Sequence, residues 1–205
     1  HGLNWKSARE PLASLFYHVK HKVNFWQPAV TRQRLLAAAA FGYEYSGEPD
    51  FGLQRFTDGT PIQDYAIIMP SASRDDKLWP QEDWFAAFDR LTQAGLRLKL
   101  LAGNDKEAAR AQDMIKDYPN AEVLPRMSLT GVAQAIAPAR IMIGLDSGLT
   151  HLSAALGRPT IGIYSASTPV RTPLVGAGFT ASLGDRGVPP SREIVLSKLE
   201  QALQL

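Results

Sequence analysis

The sequence predicts an α/β fold in which helices cover both faces of a parallel sheet, with a helical linker ahead of it at the amino terminus. From residue 65 onward, short apolar runs alternate with amphipathic segments, which is the pattern of alternating strands and helices. Pro80 and Gly95 bracket one of these amphipathic segments, as they commonly do at the two ends of a helix. Every motif suited to ligand binding follows a predicted strand, and parallel sheets bind ligands beyond the carboxyl ends of their strands.

Residues 1–64 are predicted to form an interdomain helical segment and a connector. Apolar side chains at helical spacing predict a helix over residues 7–23, namely Leu12, Leu15, Phe16, Val19 and Val23. A second helix is predicted from residue 28 to the end of the alanine run at residue 40. Residues 43–64 are rich in Gly, Asp and Pro and are predicted to be the connector.

Residues 65–205 are predicted to form one nucleotide-binding domain. The predicted strands cover residues 65–69, 96–101, 122–124, 141–145 and 160–164. The predicted helices cover residues 80–94, 105–118, 128–136, 149–157 and 191–203.

Composition excludes several classes of protein. The formal net charge of +2 is too small to indicate nucleic-acid binding, and we predict none. The absence of cysteine excludes disulfides, thiolate metal sites and a cysteine nucleophile. No signal peptide and no apolar run long enough to span a bilayer is present. Because the chain begins at His1 rather than Met, we expect it to be a fragment of a longer protein.

The amino-terminal end is locally basic. Residues 1–34 carry six basic side chains against one acid, Glu10; they are Lys6, Arg9, Lys20, Lys22, Arg32 and Arg34. A basic helix of this kind can lie on an anionic membrane or a phosphorylated ligand, or it can pack on a neighbouring domain with its charges in water. His18 and His21 have no third ligand nearby in sequence, so no metal site is predicted.

The motif around Asp146 is the main candidate site. An apolar strand ends at Leu145, and the polar turn Asp146-Ser147-Gly148 leads into a helix that begins near Leu149. Unpaired N–H groups and the positive end of the helix dipole suit such a turn to a phosphate. The simpler interpretation is a helix cap formed by Asp146 or Ser147. His151 favours the phosphate site, because its ring can reach the same turn.

A second motif follows the first predicted strand. Ser73 can donate a hydrogen bond to a phosphate, and Lys77 can stabilise the charge that grows on a departing diphosphate. A surface salt bridge explains Lys77 equally well.

Two further candidates follow the next predicted strands. Glu107 is either placed favourably against the dipole of a helix or accepts hydrogen bonds from ribose or sugar hydroxyls. Met127 either fills the core or offers a surface on which a base can stack. The glycine fingerprints of dinucleotide and P-loop enzymes and the hydrolase elbow are all missing from the sequence.

These motifs, in this order, closely resemble the lipopolysaccharide heptosyltransferases of glycosyltransferase family 9. The residues that carry the resemblance are Ser73-Arg-Asp-Asp-Lys77-Leu-Trp-Pro, Pro125-Arg-Met-Ser-Leu129 and Asp146-Ser-Gly-Leu-Thr-His151. Lys6-Ser-Ala-Arg-Glu-Pro-Leu-Ala13 resembles the segment with which the family leaves its first domain. The resemblance implies two Rossmann-like domains in the glycosyltransferase B arrangement, of which this chain is the carboxyl-terminal, donor-binding half with its linker.

The resemblance also implies an activity, an inverting transfer of L-glycero-D-manno-heptose from ADP-heptose to Kdo of the lipopolysaccharide inner core. The transfer takes place on Kdo-lipid A, in the cytoplasm or in peripheral contact with the anionic cytoplasmic face of the bacterial inner membrane. No cofactor and no metal is expected. The general base lies in the amino-terminal acceptor domain of the family, so we expect this chain to bind donor without efficient transfer. The alternatives are a related family 9 transferase with another nucleotide sugar or acceptor, and a non-catalytic nucleotide-sugar binding module.

The resemblance assigns roles to individual residues. Lys77, Asp146 and His151 would stabilise the donor and its leaving group, and Lys6 and Arg9 would face the acceptor. The donor-binding set is Ser73, Lys77, Glu107, Met127, Asp146, Ser147, Gly148, Leu149 and His151. The family often has Thr where this chain has Ala72 and Ser147; the change at Ala72 removes a possible phosphate contact.

Overall fold

The computed structural model describes residues 1–71 and 75–204, without the side chain of Asp75, and its contacts divide the chain into two compact units. The first unit comprises His1–Pro49 with Val170–Pro173, and the second comprises Asp50–Pro169 with Leu174–Leu205. The predicted connector over residues 43–64 therefore contributes to both units.

The first unit contains one regular helix and a short pair of strands. Strand β1 (Gly2–Leu3) pairs in parallel with β2 (Lys20–His21), and helix α1 covers Ala29–Phe41. Helix α1 confirms the helix predicted after residue 28, and it ends at Gly42, whose φ of 76° only glycine adopts without strain.

The helix predicted over residues 7–23 is wrong. Only a 3₁₀ helix over Pro11–Phe16 forms there. The amide groups of Gly2 and Asn4 donate to the carbonyl groups of Val19 and His21, so the end of the predicted helix is used as a strand. Of the predicted apolar stripe only Val23 is buried, whereas the other four side chains are exposed and Phe16 is 84% exposed.

The second unit is built from six strands and six α-helices in its described residues. The strands are β3 (Gln63–Met69), β4 (Arg97–Leu100), β5 (Ala121–Val123), β6 (Ala139–Leu145), β7 (Thr160–Tyr164) and β8 (Thr180–Gly184). The helices are α2 (Gln54–Thr57), α3 (Gln81–Gln93), α4 (Asp105–Met114), α5 (Leu129–Ile136), α6 (Gly148–Ala155) and α7 (Arg192–Leu203). Among the helices that the structure describes, none is both long enough and apolar enough to cross a membrane.

All five predicted strands and all five helices predicted beyond residue 65 are confirmed as elements. Helix α4 ends at Met114, earlier than predicted, because the chain turns there toward β5. Helix α2 and the first two residues of β3 lie in the predicted connector, and β8 was not predicted.

The six strands are parallel and lie in the order β5-β4-β3-β6-β7-β8. The chain thus builds outward from β3 in one direction and from β6 in the other, which is the doubly wound order of a Rossmann-like sheet. Between β3 and β6 the order reverses, and a crevice opens at the carboxyl ends of strands at such a point.

Apolar side chains cover both faces of this sheet. In β3, Ala66 and Ile68 belong to a core cluster that includes Trp84 and Phe88 of α3. The alternate residues of β3 belong to a second cluster with Val132 and Ile136 of α5. Burial on both faces explains why the strands read as continuous apolar runs rather than as alternating patterns.

The segment before β8 crosses directly over the end of α6. A Cβ at Gly176 would lie 1.7 Å from the carbonyl oxygen of Ala154, and one at Gly178 would lie 2.3 Å from that of Gly157. Glycine at these two positions lets the two backbones approach closely enough for β8 to reach the edge of the sheet.

We expect Gly176→Ala to lower the free energy of unfolding by about 2–3 kcal/mol, because backbone atoms must move to admit the methyl group. Gly148→Ala is the control: no atom lies within 4 Å of its Cβ position, so its stability should match the parent. Urea unfolding followed by circular dichroism measures both. Equal stability of the two variants would contradict the crossing described here.

Candidate functional site

Ser147 begins α6 as its N-cap. Its Oγ accepts a hydrogen bond from the Thr150 amide at 3.4 Å, and the two side-chain oxygens lie 3.0 Å apart. The buried Thr150 hydroxyl donates to the carbonyl of Leu145 at 2.7 Å. A Cβ at Gly144 would lie 2.7 Å from the Thr150 hydroxyl oxygen, so this hydroxyl requires the glycine. The turn between β6 and α6 is therefore held rigidly by the strand that precedes it.

Lys77 reaches this turn from the segment after β3, across the switch point, which is the place between β3 and β6 where the strand order reverses. It ends a 3₁₀ helix over Asp75–Lys77, in the segment that follows β3. Its Nζ donates to the backbone carbonyl of Asp146 at 2.9 Å and lies 3.3 Å from Oδ2 of the same residue. The two strand ends on either side of the crevice are thus joined by one ion pair.

Two more side chains contact the Asp146 carboxylate. The Nε2 atom of His151, one turn into α6, lies 3.3 Å from Oδ1. The Ser167 hydroxyl, in the segment after β7, donates to Oδ2 at 2.5 Å. Asp146 thus contacts side chains from the segments that follow three neighbouring strands of the sheet.

The environment keeps Asp146 ionised. Burial alone would raise the pKa of its carboxyl. The hydrogen bonds from His151 and Ser167, together with the charge of Lys77, outweigh burial and lower the pKa to about 2. At neutral pH the carboxylate is therefore ionised, and it lies beside the Lys77 ammonium. In the described residues no three His, Asp or Glu side chains come close enough to hold a metal ion.

The start of α6 places further predicted residues at the crevice. Gly148 is exposed, so its backbone is open to a ligand, and Leu149 turns toward the core cluster around Tyr65. The first amide groups of α6 lack intrahelical acceptors, which makes the helix start attractive to an anion.

Glu107 stands at the start of α4, beyond β4. Its carboxylate accepts hydrogen bonds from the Gly103 amide and from the Asn104 side chain, both at 2.8 Å. Asn104 in turn accepts from the Glu107 amide at 2.9 Å. The structure therefore shows Glu107 in a reciprocal cap, the simpler of the two predicted roles.

Met127 follows β5 and is half-buried against the core cluster around Tyr65. A hollow of about 420 Å³ lies between α4 and the segment that precedes Met127. Asn104, Ala108, Pro125 and Arg126 are among its lining residues, whereas Glu107 and Met127 are not. Both predicted residues stand on the rim that carries Lys77 and Asp146, one and two strands away from β3.

Three predicted residues remain, namely Ser73, Lys6 and Arg9. Ser73 lies outside the described residues. Lys6 and Arg9 are exposed in the first unit, where Arg9 lines a hollow of about 360 Å³ together with Glu10 and Tyr17.

Ser167 is the contact that sequence reasoning missed. It lies just beyond the predicted strand over residues 160–164, in the short polar run Ser165-Ala-Ser-Thr168. The rule that predicted the other sites, a polar side chain after a strand end, also applies to this run.

The sequence matches the family described as glycosyltransferase family 9 (heptosyltransferase) over residues 1–200. It is 42% identical to lipopolysaccharide heptosyltransferase 1 of Escherichia coli over 173 residues, which are 82% of this chain and 54% of the relative. The Pseudomonas aeruginosa protein of the same name is 37% identical over 186 residues, 89% of this chain and 50% of the relative. The chain therefore spans about half the length of these curated relatives.

The fold matches solved structures of the same family. E. coli heptosyltransferase WaaC with ADP gives a TM-score of 0.87 at 36% identity, covering 98% of this chain and 65% of that chain. The same enzyme with ADP-2-deoxy-2-fluoro heptose gives a TM-score of 0.83. The fold is thus that of one half of a glycosyltransferase B enzyme, and the chain belongs to glycosyltransferase family 9, the heptosyltransferases.

Proposed function

We propose that this chain is the donor-binding half of an inverting heptosyltransferase. The whole protein would transfer L-glycero-D-manno-heptose from ADP-heptose to Kdo of the lipopolysaccharide inner core. Support comes from the 42% identity to a lipopolysaccharide heptosyltransferase 1 and from the fold match to an enzyme solved with ADP and with an ADP-heptose analogue.

The contact of Lys77 and His151 with Asp146 is the observation that carries the proposal. A nucleotide diphosphate sugar presents a pyrophosphate anion next to a ring bearing hydroxyl groups. The crevice offers a partner for each part of the donor. The Lys77 cation and the start of α6 suit the pyrophosphate, and the Asp146 carboxylate can accept hydrogen bonds from the hydroxyl groups. All of them lie at the switch point between β3 and β6.

Lys77 supplies the electrostatic part of the reaction. When the Kdo hydroxyl attacks the anomeric carbon, the bond to the ADP oxygen breaks and negative charge grows on the diphosphate. The Lys77 ammonium and the first amide groups of α6 are already in place to stabilise that charge. The base that deprotonates the Kdo hydroxyl would come from the acceptor domain that the family resemblance implies.

The first unit would face the acceptor. Lys6 and Arg9 are exposed, and three exposed apolar side chains lie on the 3₁₀ helix that follows them, namely Leu12, Leu15 and Phe16. Cations beside apolar groups are suited to a phosphorylated lipid acceptor in an anionic membrane surface. We therefore place peripheral contact with the inner membrane on this unit.

Lys77→Ala and His151→Ala should each weaken ADP binding by about tenfold or more, the loss expected for a hydrogen bond to a charged group. Removal of Lys77 also leaves the Asp146 charge facing the phosphates without its cation. Titration calorimetry with ADP measures the loss. Lys116→Ala is the matched control, since Lys116 is exposed and pairs with Asp113 on the outer part of α4.

Parental affinity in both site variants would refute the proposed phosphate site. Competition among ADP-, GDP- and UDP-sugars in the same calorimeter separates ADP-heptose from the donors of other family members. A transfer assay on the full-length reading frame separates an enzyme from a binding module.

Gly148→Ala should fold like the parent but bind ADP about tenfold more weakly. The methyl group has open space in the protein, yet it projects beside the amide groups that would receive a phosphate. Thermal unfolding and ADP calorimetry on the same sample measure the two properties. Unchanged affinity would place the phosphates elsewhere.

Reversing the charges of Lys6 and Arg9 to Glu should reduce co-sedimentation of the chain with phosphatidylglycerol vesicles severalfold at low salt, where charges are least screened. The control carries the same change at Lys116 and Arg186, which are exposed residues of the second unit. Equal loss in both variants would show a general charge effect and remove the role assigned to Lys6 and Arg9.

A further inference from the structure

We propose that Ser167 is a positioning residue for heptose transfer, because its hydroxyl holds the Asp146 carboxylate so that Oδ1 is presented to the donor sugar. The inference rests on the proposed function, since it assigns Asp146 to the sugar hydroxyls. The inference adds a residue that follows a third strand, β7, whereas the motifs around Lys77 and Asp146 follow β3 and β6.

The geometry joins two separate segments of the rim. Ser167 lies 21 residues beyond Asp146, after β7, and its Oγ is 2.5 Å from Oδ2. The backbone supports this approach, since the Asp146 amide donates to the carbonyl of Ile163 in β7 at 2.9 Å. The two segments are therefore neighbours through the sheet, and the hydroxyl adds a side-chain contact above that pairing.

The distribution of hydrogen bonds over the carboxylate gives Ser167 its role. Each carboxylate oxygen accepts about two hydrogen bonds. In the described structure, Oδ2 receives Lys77 and Ser167, whereas Oδ1 receives only His151. The acceptor capacity that remains is thus on Oδ1. Without the Ser167 hydroxyl, one side of Oδ2 is unoccupied and the carboxylate can rotate.

A hydroxyl is suited to this task because it orients the carboxylate without neutralising it. Among the residues that the structure describes, the titratable groups that face Asp146 are Lys77, His151 and the buried phenol of Tyr164 on β7. Lys77 is a cation that the donor phosphates also attract. Ser167 is neutral, so its bond to Oδ2 persists when phosphate competes for Lys77.

Ser167 lies outside the hydrophobic core, so its role in the site is distinct from support of the core. Ser167 is half-buried at the rim and belongs to neither hydrophobic cluster of the sheet. Loss of its hydroxyl should therefore alter the crevice and leave the packing of the sheet intact.

Calorimetry with two ligands tests the inference. Ser167→Ala should weaken binding of ADP-heptose by about tenfold, as expected when a charged acceptor is no longer oriented toward a hydroxyl. Binding of ADP, which lacks the sugar, should change by less than about twofold. Ser167→Thr, which keeps the hydroxyl, should restore the affinity for ADP-heptose. Ser197→Ala, on the exposed part of α7, is the matched serine control.

The inference is overturned if Ser167→Ala binds ADP-heptose like the parent, loses both ligands equally, or is not rescued by Ser167→Thr. An unfolded Ser167→Ala would also overturn it, since the hydroxyl would then support the fold. A parent chain that binds no ADP would instead refute the proposed function, and the role of Ser167 would fall with it. Titration of the parent chain with ADP distinguishes failure of the proposed function from failure of the role assigned to Ser167.

Discussion

The ionised carboxylate of Asp146 is the point on which the site depends. Lys77, His151 and Ser167 come from the segments that follow β3, β6 and β7, and each contacts this one side chain. The parallel sheet makes the meeting possible, because the carboxyl ends of neighbouring strands share one edge. Rearranging the strand order would separate these side chains even if every local motif were kept.

An anion at the centre of the proposed phosphate site weakens phosphate binding unless neighbouring groups offset its charge. With its pKa lowered to about 2, Asp146 repels a phosphate at neutral pH. The Lys77 ammonium has three N–H donors, of which its two contacts with Asp146 use two in the described structure. Under the proposed function the third would donate to a phosphate oxygen, so that the Lys77 ammonium lies between the two anions and screens one from the other.

The sheet was predicted well from the sequence because the apolar runs that indicate its strands are local patterns. The apolar runs of β3 and β6, buried on both faces, have no alternative interpretation in a chain of this composition. Strand β8 was missed because Thr180–Gly184 contains only one large apolar side chain, that of Leu183, and its pairing with β7 depends on the crossing at Gly176. A local pattern marks Ser167 as a polar side chain after a strand, but it does not identify Asp146 as its partner 21 residues away.

The error in the first unit has a different cause. Leu12, Leu15 and Phe16 follow helical spacing, but spacing predicts a helix only where a core exists for its apolar face. In the described first unit that face is exposed, and pairing of β2 with β1 uses the backbone groups that a longer helix needs. In this segment the tertiary environment, rather than the local sequence pattern, determines the secondary structure.

The capping role of Glu107 is compatible with the donor contact that we propose for it. Its two carboxylate oxygens accept one hydrogen bond each, from the Gly103 amide and the Asn104 amide group. A carboxylate has about four acceptor positions, so two remain in the described structure. The cap fixes the rotamer and lowers the entropy cost of using those positions for a ribose hydroxyl. Under the proposed function, the cap at α4 would hold Glu107 ready for the donor contact that the family resemblance implies. The same reasoning applies to Ser147, whose cap holds the turn beside Asp146.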